Sequence, residues 1–193
     1  MSDTALLLMD YQVGLCDQGP LGRMPALAEQ IAARGVLPAA ARALAAARQR
    51  GDYVVHVRLA FDPSFELRTN RSARFDAYPT SGAMLLGSPE AEIVEAVKPL
   101  ESEPIVTKGC VNSFIGTPLT EMLLGNGIRR VALGGVATNM VVEASARHAT
   151  DIGLSVHVLE DCCASFQAEL HEFALTNLFP MFSTVTTTGE FYA

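Results

Sequence analysis

The sequence has no surplus of positive charge: 14 lysines and arginines stand against 21 acidic residues, a formal charge of −7 over 193 residues. A chain this acidic has no bulk electrostatic pull on nucleic acid or an anionic membrane surface, and neither is expected as a partner. Long apolar runs are missing as well. The run from Ala5 to Met9 is cut by Asp10, too short for a signal peptide and far short of the about 20 residues that cross a bilayer. Cysteine is scarce, with Cys16, Cys110, Cys162 and Cys163 forming no C-x-x-C pair and no secreted-scaffold spacing. A reduced, cytoplasmic protein is therefore expected. The adjacent Cys162 and Cys163 read as small buried residues rather than a redox pair, since a disulfide needs a specific Cβ geometry. Low-complexity tracts are absent too. What remains is 49% hydrophobic and 18% charged, enough for a single domain over residues 1–193 with a sizeable core.

Apolar strands alternate with helical patterns along the chain. Ala5 to Asp10, Tyr53 to Arg58, Pro104 to Lys108, Val131 to Leu133, Leu154 to Asp161 and Ser183 to Thr188 read as six strands. Between them, Ala26 to Arg50 carries one or two helices, with Pro38 opening the second and Gly51 ending it. Pro89 opens a helix through Leu100, Thr117 caps another that Asn126-Gly127 closes, and Gln167 to Phe179 is amphipathic. Strand–helix alternation implies right-handed crossovers, hence an α/β, Rossmann-like doubly wound fold with a six-stranded, mainly parallel sheet flanked by helices.

Ligands of such sheets bind at the carboxyl ends of the strands. Asp10 ends the first strand and Lys108 the third. Brought together, the lysine would favour the ionised carboxylate and fix its orientation. His56, inside the second strand, reads as a hydrogen-bonded core residue. The stretch Phe61 to Gly87 is the least regular, and holds Phe61, Phe65, Phe75 and Tyr78 among Arg68, Arg71 and Arg74. Arginines among aromatics suit a planar or cyclic substrate bearing a carboxylate; a solvated or subunit-contact loop is the other reading. Gly134-Gly135 turns the chain after the fourth strand, and Thr138 or Asn139 can cap the helix that follows, whose first turn offers unpaired N–H groups.

That last stretch, Gly135-Val136-Ala137-Thr138-Asn139-Met140, resembles the nucleophile turn of the isochorismatase-like, or cysteine hydrolase, superfamily. There a Gly-Val/Ile-Ala-Thr-x-x-Cys run carries the nucleophile at a helix start, beside a cis peptide that helps form an oxyanion hole. Asp10-Tyr11-Gln12 is similar to the family's Asp-x-Gln motif, Lys108 to its lysine, and Asn112-Ser113-Phe114 to its Ser-Ala-Phe element. The resemblance implies the isochorismatase-like hydrolase fold, Asp10 and Lys108 as catalytic residues, and a cis peptide between Val136 and Ala137. It also implies an oxyanion turn of Val136, Ala137 and Val141, and substrate contacts from Gln12, Arg58, Phe65, Arg74 and Phe114. A homodimer or homotetramer built on the Phe61–Gly87 segment follows by the same resemblance.

One departure governs the mechanism. The family's cysteine position is Val141, and an isopropyl group cannot attack a carbonyl. Metal-binding relatives place an Asp-x-His cluster after the second strand, whereas this chain has Arg58-Leu59-Ala60-Phe61-Asp62, so neither a metal nor another cofactor is expected. Two outcomes stay open. Asp10 and Lys108 can hydrolyse a small molecule, such as a vinyl ether, by acid–base chemistry without a thioester intermediate, as cysteine-free isochorismatases do. Alternatively, an amidohydrolase-like relative has lost its nucleophile and only binds a small ligand.

Overall fold

The computed structural model describes residues 2–193. Its sheet has six strands: β1 (Thr4–Met9), β2 (Tyr53–Leu59), β3 (Ile105–Lys108), β4 (Arg130–Val136), β5 (Ser155–Ala164) and β6 (Thr184–Thr186). They lie in the order β3-β2-β1-β4-β5-β6 and pair in parallel throughout. The helices are α1 (Val13–Cys16), α2 (Pro25–Arg34), α3 (Val36–Arg50), α4 (Ala73–Ser81), α5 (Leu119–Gly125), α6 (Glu143–Asp151), α7 (Ala168–Phe173) and α8 (Thr188–Phe191).

β1 is central and wholly buried. Alternation sends Leu6 and Leu8 into one core and Ala5, Leu7 and Met9 into the other. Helices α2 and α3 cover the first face with Leu27, Ile31, Ala39, Ala40, Ala43, Leu44 and Ala47. Their small side chains let α3 lie close on the sheet. On the opposite face, α5 and α6 contribute Leu119, Leu123, Ala146 and Ala149. Each fully buried leucine here contributes about 2 kcal/mol of transfer free energy. The chain leaves β1 toward β2 on one side and returns through β4 on the other. The crevice between the carboxyl ends of β1 and β4 is thus the switch point where such sheets bind ligands.

Several segments differ from their sequence pattern. Pro89 to Leu100 is not a helix but two short 3₁₀ turns, Pro89–Ala91 and Glu95–Val97. The intervening residues pair instead with the segment after β1, through Val13 N–H to Glu92 O (2.9 Å) and Val94 N–H to Tyr11 O (3.0 Å). Tertiary pairing has overridden a weak local preference. The irregular stretch after β2 contains α4, which tolerates Pro79 late in the helix. The second early helix begins before Pro38, at Val36, because Gly35 adopts φ +66° and breaks α2 from α3. The pattern from Gln167 is α7 followed by a wide π-type turn, Ala174–Leu178. Cys162 and Cys163 sit within β5, buried and unbridged. His56 is buried and meets Glu103 at 3.1 Å.

Candidate active site

Asp10 follows β1 with a left-handed backbone, φ +63°. Among L-residues aspartate and asparagine tolerate that region best, and outliers of this kind concentrate at functional sites. Its N–H is held by Val57 O at 2.9 Å, and its carbonyl accepts from Gln12 N–H at 2.8 Å. Gln12 is fully buried and ties the turn to β2: its amide donates to Leu59 O (2.9 Å) and Ala91 O (2.8 Å) and accepts from Leu59 N–H (2.8 Å).

Lys108 ends β3, two strands from β1. At about 4.8 Å per strand, only a long side chain crosses that gap. Its Nζ donates to Asp10 Oδ2 at 2.9 Å and to Cys110 O at 2.9 Å, and the ion pair is almost completely buried. The other carboxylate oxygen, Oδ1, is buried with no hydrogen-bond partner. Burial pushes the Asp10 pKa up, and the opposing charge and hydrogen bond of Lys108 do not cancel that rise.

Both residues line one cleft. The turn after β4 forms its back wall. The Val136–Ala137 peptide is cis, as the resemblance implies. A π-type turn over Thr138–Val142 follows, with Met140 N–H and Val142 N–H on Ala137 O at 3.1 and 3.4 Å, before α6 begins. Neither Thr138 nor Asn139 caps that helix; Ala137 precedes it and no side-chain cap is made. Thr138 Oγ1 instead meets His171 Nδ1 at 2.7 Å, both fully buried. Burial, with Arg34 nearby, lowers the His171 pKa to about 4.

Of the residues singled out from sequence, Asp10, Lys108, Val136, Ala137, Val141 and Arg74 meet at the cleft. Gln12, Arg58, Phe65 and Phe114 lie outside the lining of this cleft. Gln12 is fully occupied by backbone. Arg58 turns to Thr107 Oγ1 at 3.0 Å and toward Glu92. Phe65 packs on Phe61, and Phe114 stacks on His148 with centroids 4.5 Å apart. Residues that motif reading did not assign complete the wall: Leu15, Leu27, Leu59, Phe75, Tyr78, Val111, Met140 and Phe166. The aromatic–arginine mixture of α4 was the one signal for Phe75 and Tyr78. Among the described residues, no cysteine lines the cleft. Burial pushes the Cys16 and Cys163 thiols up to about 12 and raises Cys162 as well.

A doubly wound parallel sheet with a buried acid–lysine pair at its switch point, facing an apolar cleft, is the architecture of a small-molecule enzyme. The isochorismatase domain model matches residues 4–190, and the chain belongs to that hydrolase family. It is 29% identical to maleamate amidohydrolase of Pseudomonas putida over 95% of this chain and 82% of that protein. It is 30% identical to ureidoacrylate amidohydrolase RutB of Methylorubrum extorquens, over 98% of this chain and 82% of the relative. The crystal structure of an isochorismatase family protein from Desulfovibrio vulgaris superposes with a TM-score of 0.87 at 22% identity, over 99% and 97% of the two chains.

Proposed function

We propose that this protein is a small-molecule hydrolase in which Asp10 is the acid–base group and Lys108 its partner, with no covalent thiol intermediate. The observation that carries this reading is the Asp10 carboxyl: Oδ2 is fixed by Lys108, while Oδ1 is buried and unpartnered at the cleft. A carboxyl whose pKa is raised by burial holds its proton more readily than an exposed one and can pass it to a substrate. With a vinyl ether, the proton goes from Asp10 to the terminal carbon of the double bond. Water adds to the resulting oxocarbenium carbon and returns a proton to Asp10. The hemiketal then collapses to a carbonyl compound and an alcohol. None of these steps requires a reactive atom at position 141, and the absence of any cysteine from the cleft wall supports a thiol-free route.

The second reading is a ligand-binding protein descended from amidohydrolases, supported by the names of the two relatives and by Val141 at the nucleophile position. One experiment separates the two: a hydrolysis screen over vinyl ethers, amides and esters, repeated with Asp10→Asn. The hydrolase reading expects turnover by the wild type that falls roughly 10²–10⁴-fold in the variant. Wild-type protein that binds a small acid, hydrolyses nothing, and changes only in affinity on Asp10→Asn would establish the binder instead.

A further inference from the structure

Helix α4 forms one side of the cleft and presents Arg74, Phe75 and Tyr78 to it. Positions 74 and 78 are one turn apart on the same helix face. Of the nearby arginines, Arg23 is tied to Glu90, Arg58 to Glu92 and Arg68 to Asp76, while Arg71, unpaired among the described residues, is not part of the cleft lining. Lys108, the other cation at the cleft, is tied to Asp10 Oδ2 and to Cys110 O. Arg74 makes no ion pair among the described residues. Its guanidinium lies over the Phe166 ring, 4.6 Å from the centroid, with the Met24 sulfur 4.0 Å from Nη2. Stacking of this kind holds the plane while leaving the forked N–H donors free for an acceptor.

Tyr78 is set in the same way. Its ring is fixed between Phe61 and Phe75, with centroids 4.8 and 5.6 Å away. No side-chain hydrogen bond involves its hydroxyl, which is also not among the occluded, partnerless polar atoms. Burial pushes its pKa up, Arg74 pulls it down, and Asp10 and Glu90 push it up again. The hydroxyl therefore remains protonated and able to donate, close to both Arg74 and the catalytic carboxyl. The rest of the wall, including Leu27, Val111, Met140 and Phe166, offers a ligand only apolar contact.

We propose that Arg74 and Tyr78 form a two-point receptor for one carboxylate, making the ligands of this cleft small, largely apolar monocarboxylates. A guanidinium fork and a phenol donor match the oxygens of a single carboxylate. A second carboxylate on the ligand would meet the apolar wall, which disfavours dianions. As an assignment of substrate class the proposal rests on the hydrolase reading; as a binding site it is independent of turnover.

The test measures saturable binding of benzoate, benzyl alcohol and phthalate to the wild type and to Arg74→Gln, Tyr78→Phe and Asp10→Asn proteins. Thermal unfolding serves as the control for folding. Wild type should bind benzoate in preference to the other two. Arg74→Gln should weaken benzoate by about tenfold or more, as expected for a charge-assisted contact, and leave benzyl alcohol unchanged; Tyr78→Phe should weaken benzoate about three- to tenfold. In the Asp10→Asn background benzoate affinity should still fall on adding Arg74→Gln, whatever its absolute value, so a failed hydrolysis screen with intact Arg74-dependent binding would overturn the catalytic reading alone. Equal benzoate affinity in wild type and Arg74→Gln, or no saturable benzoate binding by the wild type at millimolar concentration, would overturn the receptor.

Discussion

Asp10 and Val141 together define what chemistry the site can support. Asp10 holds a left-handed backbone that costs of order 1–3 kcal/mol in a non-glycine residue, and a carboxyl that burial keeps from ionising easily. For a general acid the sign is direct. Activity requires the protonated form, so kcat/KM should decline as pH rises through a pKa above the ordinary carboxylate range, and Asp10→Asn should remove that limb. Val141 is buried at the cleft wall, at the position where the sequence resemblance implies a nucleophilic thiol. The native cysteines are poor nucleophiles by position, since none lines the cleft. Iodoacetamide should leave wild-type activity unchanged. Val141→Cys should acquire labelling at position 141, readable by mass spectrometry, together with amide hydrolysis that the reagent abolishes. Rapid inactivation of the wild type, blocked by substrate, would instead reveal a displaced nucleophile, with Cys110 the first suspect.

At the level of elements, the turn after β4 is held from outside the cleft. Thr138 does not cap α6 but reaches His171 on α7, anchoring the π-type turn to the helix beside it. With its pKa lowered to about 4 from 6.5, His171 is neutral in the folded protein, whereas the unfolded chain takes up the proton below about pH 6.5. The unfolded state thus binds more protons across that window. Stability present above pH 6.5 should be lost as pH falls toward 4, by up to roughly 3 kcal/mol from this residue. Urea unfolding across that range measures the slope. His171→Gln, whose amide can still meet Thr138, should flatten it; an unchanged slope would place the acid lability elsewhere. Local pattern could not reveal this contact, because Thr138 and His171 belong to different elements and meet only when α7 docks. The same limit explains Pro89 to Leu100, where favourable helix signals yielded to pairing with Tyr11 and Val13.

Across the whole molecule, sequence reading succeeded where one strand or one turn carries the information and failed where distant segments combine. The apolar run of β1, the glycine turn after β4 and the residues ending β1 and β3 were legible, because each depends on its own neighbours along the chain. The cleft wall was not, since α1, α2, β2 and the segment after β5 contribute single residues to it and α4 contributes three. Gln12 shows the converse: its motif was legible, but only the fold shows that backbone groups occupy its amide. The ionisable side chains are dispersed in the same global sense. Among the described residues, no group of three or more His, Cys, Asp or Glu side chains is placed to hold an ion. The four histidines are scattered: His56 meets Glu103, His171 meets Thr138, His148 stacks on Phe114, and His157 lies against Phe191. Asp62, the last residue of the Arg58–Asp62 run, accepts from the N–H groups of Ser64 and Leu67 at 3.1 and 2.9 Å and from the Ser64 hydroxyl. The Leu67 N–H, followed by the Ser64 hydroxyl, lowers its pKa to about 2 and marks a loop-forming role. A first-row ion would need imidazole or thiolate donors that this arrangement does not bring together. Dialysis against a strong chelator should therefore leave both turnover and the unfolding temperature unchanged. A stoichiometric transition metal in the purified protein, with activity lost on its removal and regained on its return, would show instead that a ligand set assembles outside this fold's own geometry.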